Sequence, residues 1–86
     1  MRLKIERRGG LAGLPAVGER DGSEMTATQR RALERLLRAP PSPAPSPGAD
    51  RFHYKITVED ETGTKELEVP EHAMPEALAV IPKIKL

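Results

Sequence analysis

The chain has no cysteine, so no disulfide can staple it and no thiolate can hold a metal. It has no tryptophan, one phenylalanine and one tyrosine, which leaves Leu, Ile, Val and Ala to build a core around two rings. No stretch approaches the roughly 20 apolar residues of a membrane span. The opening residues Met1-Arg2-Leu3-Lys4-Ile5-Glu6-Arg7-Arg8 alternate instead of forming an apolar leader. A cytoplasmic protein without membrane attachment is expected, unless a separate route exports it. An excess of charge is missing too. Fourteen Lys and Arg oppose 13 Asp and Glu, a formal +1 that lacks the basic footprint of a nucleic-acid binder.

The 86 residues have room for one domain, 1–86, and a chain this short buries only about 60% of its unfolded surface. From Arg2 to Arg7 the pattern has period two, with Leu3 and Ile5 on one face, and predicts a strand. The run from Arg8 to Gly18 is too rich in glycine for a regular element and reads as a loop. It nevertheless carries Leu11, Leu14 and Val17, which must fold back on the core or face solvent. Thr26 followed by Gln29 fits a capping box, and Leu33, Leu36 and Leu37 share one face of the helix it opens. Pro40, Pro41, Pro43, Pro45 and Pro47 end that helix by Ala39 and make 40–49 an extended surface connector.

The clearest alternation is Phe52, Tyr54, Ile56 and Val58 against His53, Lys55, Thr57 and Glu59, resumed by Leu67 and Val69. The inward set is even before the turn and odd after it. An unbulged hairpin therefore needs a loop of even length, such as Glu61 to Thr64, with Gly63 supplying a positive φ. Pro75 stands where a first helical residue belongs, and Pro82 limits that helix to two turns. Lys83 to Leu86 reads as a tail or a short extra strand. The expected fold is α+β: an antiparallel sheet of three to four strands, one main helix on one face, and a short C-terminal helix.

Catalytic chemistry finds no support. His53 and His72 lie outside any metal spacing, no serine sits in a nucleophile motif, and the Gly-rich run lacks the Lys-Ser/Thr of a phosphate loop. Asp50, Glu59, Asp60 and Glu61 read as a solvated acidic face, and Arg30, Arg31, Arg35 and Arg38 as an exposed basic face of the helix. No enzyme activity, no cofactor and no metal are expected. A chain of this kind acts by binding another macromolecule.

Ile5-Glu6-Arg7-Arg8-Gly9-Gly10-Leu11-Ala12-Gly13, then Asp21-Gly22, Asp50-Arg51-Phe52-His53-Tyr54, Thr57-Val58 and Val69-Pro70-Glu71 resemble the emfourin family. These are protein inhibitors of protealysin and other thermolysin-like zinc metalloproteases. The resemblance runs from residue 1 to about Leu78 and departs at Pro82, where a continuing C-terminal helix is broken. It implies a monomeric inhibitor whose partner is a thermolysin-like metalloprotease of the protealysin type. Because such enzymes favour a bulky apolar residue just after the scissile bond, it also implies protease contacts from Gly9, Gly10, Leu11, Ala12, Gly13 and Leu14, with Leu11 in the apolar subsite. A carboxylate, Glu6, Asp21 or Glu24, is a further candidate to reach the enzyme's zinc, and spacing selects none of them. The other reading is a small interaction subunit that binds through its sheet edge or basic helix.

Overall fold

The computed structural model describes residues 1–9, 15–41 and 52–84, and the side chains of all of these except Phe52 and Ile84. The predicted period-two segments form strands: β1 (Arg2–Gly9), β3 (Phe52–Asp60) and β4 (Gly63–Pro70). A strand the sequence reading missed, β2 (Ala16–Asp21), lies where loop was expected, and Lys83–Ile84 add a two-residue β5. All pair antiparallel in the order β4-β3-β1-β2-β5, so β1 is central.

Register fixes which residues face the helices. Leu3 lies opposite Val58, Ile5 opposite Ile56 and Arg7 opposite Tyr54, while Ile56 meets Leu67 and Tyr54 meets Val69. Leu3, Ile5, Ile56 and Val69 are fully buried. The hairpin parity is as expected, but the turn is tighter. Asp60 pairs with Gly63, leaving Glu61 and Thr62 between them, and Gly63 has φ +134°.

The inner face is covered by α1 (Ala27–Arg38) and by the segment around α2 (Glu76–Ala79). The capping box forms as predicted: Thr26 Oγ1 accepts from Gln29 N at 3.1 Å, and Gln29 Oε1 accepts from Thr26 N at 3.0 Å. Gln29 Nε2 also donates to the Ala77 carbonyl at 3.2 Å, tying the two helices together. Leu33 and Leu36 are buried, as are Met25 ahead of α1 and Leu78 and Ile81 in and after α2. Pro75 is the residue before α2 and not its first helical residue, since its ψ of 136° is extended.

The failure to foresee β2 has a physical cause. Its inward positions are Ala16, Gly18 and Arg20, opposite Arg7, Ile5 and Leu3. Ala16 is fully buried, and a Cβ on Gly18 would lie 2.6 Å from the Ile81 carbonyl carbon and closer still to its oxygen. The backbone at Ile81 rests directly on this strand, so its inner face must be small. An apolar alternation cannot then appear in the sequence. Most of the proposed connector 40–49, from Ser42 onward, lies outside the described residues.

Candidate functional site

β1 carries the first half of the glycine-rich motif into the middle of the sheet. It is hydrogen-bonded to β2 as far as the Arg7–Ala16 pair and to β3 as far as the Gly9–Phe52 pair. A strand held on both sides is a rigid mount. Gly9 ends it with φ +90°, a conformation that side chains with a Cβ rarely adopt, and so redirects the chain as it leaves the sheet. Pro15 brings the chain back at the entry to β2, where the missing N–H breaks no ladder bond.

Of the candidate contact residues, Gly9 is thus placed at the end of the central strand. Gly10, Leu11, Ala12, Gly13 and Leu14 lie outside the described residues. Val17 is half-buried on the outer face of the sheet, opposite Glu6, and it is Ala16 that enters the core beside it.

The three candidate carboxylates separate. Glu6 shares the Gly9 end, and its side chain, only 15% exposed, is held between Lys4 Nζ at 3.2 Å and Arg8 Nη2 at 2.6 Å. Burial pushes its carboxyl up, but the hydrogen bonds and charges of Arg8 and Lys4 outweigh that and set it below the usual carboxylate range. Asp21 pairs with Arg2 at the other end of β1, about 23 Å away at the usual strand rise. Glu24 is there too, its Oε1 accepting from Asp21 N at 2.9 Å.

Within the acidic run at the β3–β4 turn, Asp60 has a structural role. Asp60 Oδ1 accepts from Thr62 Oγ1 at 2.6 Å and from Thr62 N at 2.8 Å, and those hydrogen bonds hold its carboxyl low. A general acid would need the opposite shift. Among the described residues no three His, Asp or Glu side chains gather as metal ligands. On α1, Arg30, Arg31, Arg35 and Arg38 are all exposed, and Arg30 donates to the Gly22 carbonyl at 2.7 Å. The last two rim an apolar groove floored by Ala32, Leu36, Ala73 and Pro75.

A model of the Emfourin family matches residues 5–82, nearly the whole chain. The chain belongs to the Emfourin family. The match begins inside β1, takes in both halves of the β1–β2 hairpin and ends at Pro82, just before β5. Emfourin membership suggests a metalloprotease inhibitor, with a protease as partner. No curated protein and no solved structure matches the chain. Among the described residues no helix is long and apolar enough to cross a membrane.

Proposed function

We propose that this protein inhibits a thermolysin-like zinc metalloprotease of the protealysin type by laying Gly9–Gly13 in the active-site cleft, with Leu11 in the apolar subsite and Leu14 beside it. The observation that carries the reading is the mount: a central strand, bonded on both sides, that ends at Gly9 in a left-handed conformation where the family motif continues. Glycines at 9, 10 and 13 let a protease backbone approach closely. With Gly9 held in β1 and Ala16 in β2, both ends of the inhibitory segment are fixed, which keeps any cleaved ends together.

One leucine does not make a tight inhibitor. Burying it is worth about 1.5–3 kcal/mol, while a nanomolar complex needs about 12 kcal/mol, so other parts of the scaffold also touch the enzyme. Its position nearer the Gly9 end supports Glu6 over Asp21 and Glu24, which sit at the far end of the sheet.

The test is titration of a purified thermolysin-like metalloprotease with this protein, beside a trypsin-like serine protease as control. Selective loss of the metalloprotease's activity is expected, with Leu11→Ala weakening the inhibition constant about 10- to 100-fold. No inhibition by folded protein, or an unchanged constant for Leu11→Ala, refutes the mechanism. A second reading, an interaction subunit, draws support from the groove rimmed by Arg35 and Arg38 and from β4 as an unpaired edge strand. Glutamate substitutions at Arg35 and Arg38 would abolish that mode and leave a loop-mediated inhibitor intact.

A further inference from the structure

The outer face of the sheet carries a charge gradient that the near-neutral total conceals. At the β3–β4 turn end, Arg2 is ion-paired with Glu19 at 3.1 Å and stands among Asp21, Glu59, Asp60 and Glu61 as well. One step along, Lys4 is flanked by Glu19 on β2 and faces Thr57, which pairs with Glu66. At the next rung the signs balance, with Lys83 and Lys55 against Glu6 and Glu68. The last outward-facing rung, one residue before Gly9, pairs Arg8 with His53 and His53 with Pro70, with no carboxylate among the three. Arg8 and Lys83 are exposed, and Arg8 bridges back to Glu6. By rung, the face runs from negative at the turn, through balance at Glu6 and Lys83, to a single positive charge at Arg8, where the chain leaves for residues 10–14.

A dipole of this sense orients a protein during approach more than it holds it afterwards. We infer that the cationic end, Arg8 with Lys83, docks against an acidic rim beside the protease cleft and steers the Gly9 end inward, while the acidic turn faces solvent. This rests on the inhibitor reading above. It adds a contact surface outside the glycine-rich segment and the sign of charge required of the partner. The turn-end rung lies about 20 Å from Arg8 at the usual strand rise. That exceeds the roughly 8 Å Debye length at physiological salt, so the two ends act independently.

The experiment is the association rate constant for inhibition of the same thermolysin-like protease, measured from progress curves between low and high salt. Lys83→Glu and Arg8→Glu are each expected to slow association about tenfold at low salt and to flatten its salt dependence. Glu61→Lys, at the far end, is expected to leave the rate measured at physiological salt, where charges about 20 Å away are screened, within about twofold. Because Arg8→Glu sets a second carboxylate beside Glu6, Arg8→Gln is run with it, expected to slow association about threefold, and circular dichroism checks that each variant folds. If the wild type inhibits and the Lys83 and Arg8 variants associate as fast as it does, the docking inference is overturned and the inhibitor reading stands. If the wild type inhibits no such protease, both fall.

Discussion

Gly18→Ala separates two opposed physical expectations. By conformational entropy alone, replacing a glycine inside a strand should stabilise the protein by about 0.5–1 kcal/mol. The geometry says otherwise. A Cβ at position 18 would lie 2.6 Å from the carbonyl carbon of Ile81, 2.8 Å from its Cγ2, and closer than either to its carbonyl oxygen. Backbone atoms cannot rotate aside as a side-chain tip can, so the Ile81 segment must lift off β2. Ile81 is 1% exposed and Leu78 just before it is fully buried, so lifting the segment opens the core at both. Overpacking costs about 1–3 kcal/mol, and a backbone contact this close belongs in the upper half of that range, about 2–3, so with the entropic gain subtracted a net loss of about 1–2.5 kcal/mol remains. In a domain of this size that lowers Tm by about 4–20 °C. Thermal and urea unfolding followed at 222 nm would measure it. Gly22→Ala serves as control, because its Cβ would approach Met1 no nearer than 3.4 Å, so it should lose no stability and gain at most the entropic value of about 1 kcal/mol. A Gly18→Ala protein as stable as the wild type, or more so, would refute the claim that the Ile81 backbone dictates glycine there.

Two further outcomes follow from single contacts. Thr26→Ala removes the hydroxyl that caps Gln29 N and leaves half of a capping box, so a loss of about 1 kcal/mol is expected in urea unfolding; a difference below about 0.3 kcal/mol would contradict it. Glu6 has its carboxyl lowered in the folded state, so its contribution is present above the unfolded glutamate value of about 4.3 and is lost as pH falls through the folded value. Urea midpoints from pH 6 down to 2.5 should therefore fall less steeply for Glu6→Gln than for the wild type, and parallel curves would remove Glu6 from the account.

What the sequence disclosed and what it hid follow one rule. β1, β3, β4 and α1 were legible because their inward positions hold large apolar residues that stand out by period: Leu3 and Ile5, Tyr54 to Val58, Leu33 and Leu36. The cap at Thr26 and the positive φ at Gly63 were legible because each residue type has a specific backbone task. β2 was hidden because the element packed on it is backbone, which demands Ala16 and Gly18 where a pattern search wants Val or Leu. The mount of the candidate site, Gly9 at the end of the central strand, could not be recognised as central until β2 supplied its second neighbour. The charge gradient was hidden for a related reason: Arg8 and Lys83 are 75 positions apart and come to one end of the sheet only through the register of β1, β2 and β5.

Two glycines with positive φ, at opposite ends of the sheet, allow the role of the mount to be tested apart from its stability. Gly63 has φ +134° and open space around its missing Cβ, so Gly63→Ala should pay only backbone strain, about 1–3 kcal/mol. Gly9, with φ +90°, incurs a similar strain on the same substitution. A protein can relieve such strain by rotating toward negative φ. At Gly63 that perturbs only the β3–β4 turn, but at Gly9 it re-aims the residues that follow, the segment proposed to enter the protease. Comparable drops in Tm are expected from the two variants. The inhibition constant should rise about tenfold for Gly9→Ala, equivalent to about 1.4 kcal/mol of lost binding, and stay within about twofold of wild type for Gly63→Ala. If both variants inhibit equally well while both lose stability, the backbone direction at Gly9 is a feature of the fold alone, and the inhibitory contact must be sought elsewhere on the surface.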